Sequence, residues 1–175
     1  MKIGILGGIR PEATGYFYVS LISKLKCSGL KKRNKDYPQF VINSINAPEL
    51  VSSEISDSEI KPYVDGIKEL ALHQPDFIVM VCNTIHVYRD LLIEKSGFNK
   101  ILSLRDIVRE ELNKVPLPIC ILATPSTLKN KLFYYDDSNY TNLEKEDLEE
   151  ISQIVVDFNA TRGERSKQRK INDNS

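Results

Sequence analysis

Of the six consecutive residues Asp76 to Val81 (Asp-Phe-Ile-Val-Met-Val), all but the first are apolar, and this run constrains the fold more than any other feature. It has the length of a strand, and a strand that is apolar on both sides has to be covered on both sides. Helices must therefore flank the sheet. The rest of the chain supplies them. Lys2 to Leu6 predicts a first strand that breaks at Gly7-Gly8 and a turn at Arg10-Pro11, before the helical apolar pattern of Ala13 to Lys26. A basic loop, Lys31 to Lys35, leads to a second strand at Phe40 to Ile45, which runs into Asn46-Ala47-Pro48. Ser58 to Leu72 carries Ile60, Val64, Ile67, Leu70 and Ala71 at helical spacing just ahead of the Asp76 run. A helix from Tyr88 to Glu94, a short strand at Lys100 to Leu102 and a helix from Arg105 to Lys114 continue the alternation. Alternating strands and helices imply an α/β fold, an open parallel sheet flanked by helices.

Pro116 and Pro118 mark a break, followed by an apolar strand at Ile119 to Ala123 and a helix starting near Pro125 or Ser126. Asp136 to Asn142 reads as a polar loop and Glu146 to Phe158 as a helix with Leu148, Ile151, Ile154, Val155 and Phe158 on one side. Ile171 is the only aliphatic residue from Arg162 to Ser175, so that stretch is expected to be a disordered tail. The expected organisation is a first α/β domain over 1–114, a partial second α/β domain over 115–161 and the tail over 162–175. One parallel strand cannot form a sheet. The strand at 119–123 therefore packs onto the first domain, is covered by a second copy or a partner chain, or leaves an apolar surface exposed.

The 24 basic residues balance the 24 acidic ones, which argues against a nucleic-acid or membrane-surface partner and favours a small-molecule one. No apolar run has the length of a membrane span, and Lys2 leads into a short run ending in glycines rather than a signal-peptide core, so a cytoplasmic protein is expected. The three cysteines, Cys27, Cys82 and Cys120, are an odd number at unrelated spacings, which fits neither a disulfide framework nor a metal site. Cys27, among lysines, reads as incidental; Cys120, second in an apolar strand, reads as core; His73 reads as a helix C-cap.

Cys82 is the cysteine placed for chemistry. It ends the most apolar strand, where open α/β sheets bind ligands, and Asn83-Thr84 and His86 follow it. A thiol just ahead of a helix lies near unpaired amide N–H groups, which favours the thiolate relative to its usual pKa of about 8.5. The competing reading is a buried structural cysteine. Gly7-Gly8 could let backbone amides approach a carboxylate, or serve only a tight strand-to-helix turn; the run Gly4 to Arg10 does not supply the dinucleotide-binding fingerprint. Thr124, Ser126 and Thr127, around Pro125, either bind a carboxylate at a helix start or act as N-caps.

Three segments together resemble one family. Ile3-Gly4-Ile5-Leu6-Gly7-Gly8-Ile9-Arg10-Pro11-Glu12-Ala13-Thr14 is similar to the amino terminus of aspartate/glutamate racemases, Val81-Cys82-Asn83-Thr84-Ile85-His86 to their first catalytic motif, and Leu122-Ala123-Thr124-Pro125-Ser126-Thr127-Leu128 to the opening of their second domain. The resemblance implies two pseudo-symmetric α/β domains with the active site between them, one cysteine from each, and neither pyridoxal phosphate nor a metal as cofactor. It implies Cys82 as one acid/base, and it places Gly7, Gly8, Asn83 and Thr84, with Thr124, Ser126 and Thr127, in the binding of an amino acid or related carboxylic acid; Arg10 and His86, which flank these segments, are further substrate-binding candidates. A thiolate on one face would remove the α-proton while a thiol on the other returns one.

The chain departs from the pattern in three ways. It holds no Gly-Cys-Thr, the motif of the family's second cysteine, so it is expected to be truncated before that residue, with racemisation weak or lost. Cys120 is not expected to substitute, because it is read inside a strand. The family's usual glycine before the proline is Arg10, which crowds the loop or offers a cation to a substrate carboxylate. An arginine found after the second strand in some aspartate-preferring members is replaced by Ala47-Pro48-Glu49-Leu50. Two other functions stand beside racemisation: a non-catalytic amino-acid-binding or regulatory protein, and a one-cysteine decarboxylase or isomerase.

Overall fold

The computed structural model describes residues 1–29, 33–48, 50, 55–115, 117–136, 138–141, 143–144, 146–151, 153–154 and 157. It divides into two compact units, Met1–Leu50 with Glu54–Ile107, and Val51–Ser53 with Val108–Ser175. The expected tail at 162–175 lies outside the described residues, as does part of the Lys31 to Lys35 loop.

In the first unit β1 (Lys2–Gly7) leads into α1 (Pro11–Cys27), β2 (Gln39–Ser44), α2 (Asp57–Leu72) and β3 (Phe77–Met80). The strands form an open sheet in the order β2-β1-β3, parallel throughout. Leu6 lies level with Asn43 of β2 on one side and Met80 of β3 on the other. The short strand expected at Lys100 to Leu102 is reduced to a single parallel bridge, Ile101 beside Ile78. Fewer residues form β3 than the apolar run suggested, although the Val81 amide still donates to the Leu6 carbonyl at 2.9 Å.

Ile60, Val64, Ile67 and Leu70 recur every three or four residues along α2, and all are buried with Leu6, Ile78 and Met80 in one core. The helix starts one residue before the expected Ser58 because Ser56 caps it. Ser56 Oγ accepts from the Glu59 amide at 3.3 Å, and the Glu59 carboxylate accepts from the Ser56 amide at 2.8 Å. The Ser56 hydroxyl also donates to the Glu59 carboxylate at 2.6 Å, and this bond first, then that from the Ser56 amide, holds the Glu59 carboxyl below its usual pKa. After β3 the chain turns through a 3-10 helix, Thr84–Tyr88, into α3 (Arg89–Ser96) and α4 (Leu104–Leu112). His73 caps the end of α2, as expected.

The second unit corrects one expectation. Ile119 to Ala123 is not a strand. Only Ile119 makes a parallel bridge, to Tyr140, and Cys120 is exposed rather than core. The run is apolar enough for a strand, but a strand needs a hydrogen-bonding neighbour along its length, and the described residues supply one over a single position. Leu122 is accordingly 57% exposed. The unit is instead organised around α5 (Pro125–Lys129) and a tyrosine cluster: Tyr140 Oη accepts from the Tyr135 amide at 2.8 Å and donates to the Phe133 carbonyl at 2.9 Å. Residues 146–151, 153–154 and 157 are helical, in agreement with the expected final helix.

Candidate functional site

The strand order creates the site. From β1 the chain passes to β2 on one side, and it later returns to β3 on the other, so the segments leaving β1 and β3 diverge at adjacent strand ends. At that edge the Gly8-Ile9-Arg10 turn begins beside Val81-Cys82-Asn83, the two aligned by the bond from Val81 to Leu6.

Steric demand explains the paired glycines. Gly8 has φ +95°, and a Cβ there would overlap the backbone of Ile45. At Gly7 a Cβ would run into the Thr14 side chain. Thr14 is the residue that sequence reasoning passed over. It is buried on the first turns of α1, its Oγ1 accepts from the Gly8 amide at 3.0 Å and donates to the Arg10 carbonyl at 3.3 Å, and its amide donates to the same carbonyl at 3.2 Å. The available signal was a threonine four residues after Arg10, a spacing at which a hydroxyl reaches back to a carbonyl. The tight-turn role of the glycines is therefore built into the structure, and the Gly8 amide is taken by Thr14.

Cys82 is half-buried at the end of β3 and takes hydrogen bonds from the Ile85 and Thr84 amides and the Thr84 hydroxyl. These donors, and the Arg10 guanidinium, favour the thiolate as the sequence suggested. Burial is the larger influence, however, and pushes the Cys82 thiol above its ordinary pKa, which corrects the expectation that the amides alone would favour the anion. The group is therefore a protonated thiol held among donors that would stabilise its anion.

Asn83 is exposed and its carbonyl accepts from the His86 amide at 3.1 Å; Thr84 is buried. His86 is buried, with Nε2 at 3.3 Å from the Met80 carbonyl and Nδ1 without a partner among the described residues, so its ring ties the 3-10 helix to the end of β3. Burial lowers its pKa, the Arg89 charge adds to this, and the Met80 carbonyl opposes it. A depressed imidazole pKa stabilises the fold above the ordinary imidazole range and loses that contribution as pH falls through the folded value. Thermal midpoints measured from neutral pH downward should therefore drop below about pH 6.5, and His86→Asn should flatten that part of the profile.

In the second unit Thr124 caps α5: its Oγ1 accepts from the Thr127 amide at 3.4 Å and lies 3.1 Å from Thr127 Oγ1. Ser126 and Thr127 are buried, and Ser126 Oγ has no partner among the described residues. The capping reading of Thr124 is what the geometry shows. No group of three or more His, Cys, Asp or Glu among the described residues could hold a metal ion, and no described helix is long and apolar enough to cross a membrane.

No family model matches the chain. Over 135 residues it is 28% identical to the broad specificity amino-acid racemase RacX of Bacillus subtilis (strain 168), covering 75% of this chain and 58% of RacX. The chain thus spans less than two thirds of that relative. An aspartate racemase homologue from Pyrococcus horikoshii OT3 superposes with a TM-score of 0.65 at 26% identity, covering 89% of this chain and 70% of the other. The Picrophilus torridus aspartate racemase, with a TM-score of 0.59 at 22% identity over 93% of this chain and 76% of its own, shares the fold. So does a putative Asp/Glu racemase from Yersinia pestis, with a TM-score of 0.66 at 16% identity over 89% and 70%. With the glycine turn and the Cys-Asn-Thr-x-His segment at adjacent strand ends, these similarities make the aspartate/glutamate racemases the family that this chain resembles.

Proposed function

We propose that this protein transfers a proton at the α-carbon of a small amino acid, with the Cys82 thiol as the group that carries it on one face of the substrate. The observation that carries this reading is the position of Cys82, at the end of β3 beside the Gly7-Gly8 turn, with the Thr84 and Ile85 amides on its sulfur. A protonated thiol among anion-stabilising donors is suited to returning a proton to a planar α-carbanion and to being restored afterwards. Asn83 and Thr84 hold the substrate's charged groups in this reading. Thr124, Ser126 and Thr127 remain candidate carboxylate-binding residues, and racemisation further requires a second acid/base on the opposite face to take the α-proton that Cys82 replaces.

Incubation of single enantiomers of several amino acids in deuterated water tests the proposal. Incorporation of deuterium at the α-carbon is the expected result, with the opposite enantiomer appearing where racemisation is complete. The elevated thiol pKa also favours a second reading, binding without turnover: ligands would then raise the thermal midpoint while the α-proton is retained in every case.

A further inference from the structure

We propose that His86 is a positioning residue for Cys82: its ring, with the proton on Nε2, closes the loop that carries the thiol onto the last residue of β3. The assignment rests on the reading of Cys82 as the proton carrier and adds the residue that fixes where its sulfur stands. Cys82 follows the end of β3 at Met80, and the chain comes back to that end at His86, whose Nε2 lies 3.3 Å from the Met80 carbonyl. One contact thus spans the whole segment from Val81 to Ile85. A carbonyl offers only lone pairs, so the contact is a hydrogen bond only when Nε2 carries the proton. The other tautomer would set two lone pairs against each other at Met80. It would also leave a buried N–H on Nδ1, which has no partner among the described residues. The loop is tied at two further points: the Val81 amide donates to the Leu6 carbonyl at 2.9 Å, and the His86 amide to the Asn83 carbonyl at 3.1 Å. Cys82 therefore stands between held neighbours. His86 is only 7% exposed whereas Asn83 is exposed, so the imidazole acts through the loop rather than by touching a ligand. Ile85 lies in the same core as Met80 and Leu92, and apolar packing is the competing explanation of how the loop is held.

The test compares His86→Gln with His86→Met in the full chain. The two side chains have the same length, but glutamine supplies an N–H where the ring has one and methionine does not. Iodoacetamide should label Cys82 about fivefold faster in His86→Met than in the parent, the factor that one net hydrogen bond is worth. His86→Gln should stay near the parent rate, and exposed Cys120 should react equally in all three proteins. In His86→Met, kcat for α-proton exchange should fall by a similar factor with KM little changed. Labelling is repeated across low urea concentrations, because opening of the loop alone leaves the rate independent of urea. A Cys82 rate that climbs with urea in step with unfolding would make the effect one of stability and overturn the assignment. Equal rates in His86→Gln and His86→Met would also overturn it, since the packing of Ile85 would then hold the loop by itself. Nitrogen NMR of the parent, labelled at histidine, reads the tautomer without any substitution: His86 should carry its proton on Nε2, with exposed His73 as the reference. A proton on Nδ1 would contradict the assignment even if neither variant folds. If the labelling pattern holds but no amino acid exchanges its α-proton, the proton-carrier reading of Cys82 fails while the tie between His86 and Met80 stands.

Discussion

Cys82→Ser is expected to slow α-proton exchange by about 10²–10⁴-fold, the range that a positioned acid/base group contributes. Serine keeps nearly the same volume and can still accept from the Thr84 and Ile85 amides, so the half-buried loop keeps its packing and hydrogen bonds. What changes is acidity: a hydroxyl at the same place is far too weak an acid to shuttle the proton. The thermal midpoint should therefore remain close to that of the parent while exchange collapses, a combination that separates lost chemistry from lost fold. Exchange by Cys82→Ser at the parent rate would remove the residue from the mechanism.

The largest effect on stability is expected at Gly8. Gly8→Ala adds a Cβ where the Ile45 carbonyl and amide already stand, on a backbone at φ +95°. The left-handed conformation costs about 1–2 kcal/mol, and overpacking against rigid backbone adds about 1–3 kcal/mol, so a loss of about 2–5 kcal/mol should appear in denaturant unfolding. Gly97 is the control. It too is left-handed, at φ +74°, but a Cβ there meets nothing within 4 Å. Gly97→Ala should lose only the conformational part, about 1–2 kcal/mol. Equal losses at the two positions would mean that the close approach between the β1 turn and Ile45 does not govern the loop.

This contrast also shows what can be read from residues alone. Gly7-Gly8 marks the turn in the sequence, but the reason for two glycines lies in Thr14 and Ile45, which reach the turn from α1 and from the end of β2. The alternation around the Asp76 run revealed the parallel sheet because a strand apolar on both faces has few other solutions. Ile119 to Ala123 shows the limit: its side chains suit a strand, yet a strand is defined by a neighbour, and among the described residues only Tyr140 pairs with it, at Ile119. Cys82 followed the same logic. Its place at a strand end and its amide donors were legible from local sequence, whereas the desolvation that dominates its acidity comes from packing of distant segments. The burial of His86 was hidden for the same reason.

The most direct measurement is the rate at which iodoacetamide labels Cys82 with and without a saturating amino acid whose α-proton the protein exchanges. If the sulfur faces the bound acid, labelling at Cys82 should slow by at least about tenfold, as expected for steric exclusion by an occupied site, while Cys120 reacts at an unchanged rate. An identical Cys82 rate in the ligand-saturated protein would contradict the account, because the thiol would then stand clear of the atoms it is held to protonate.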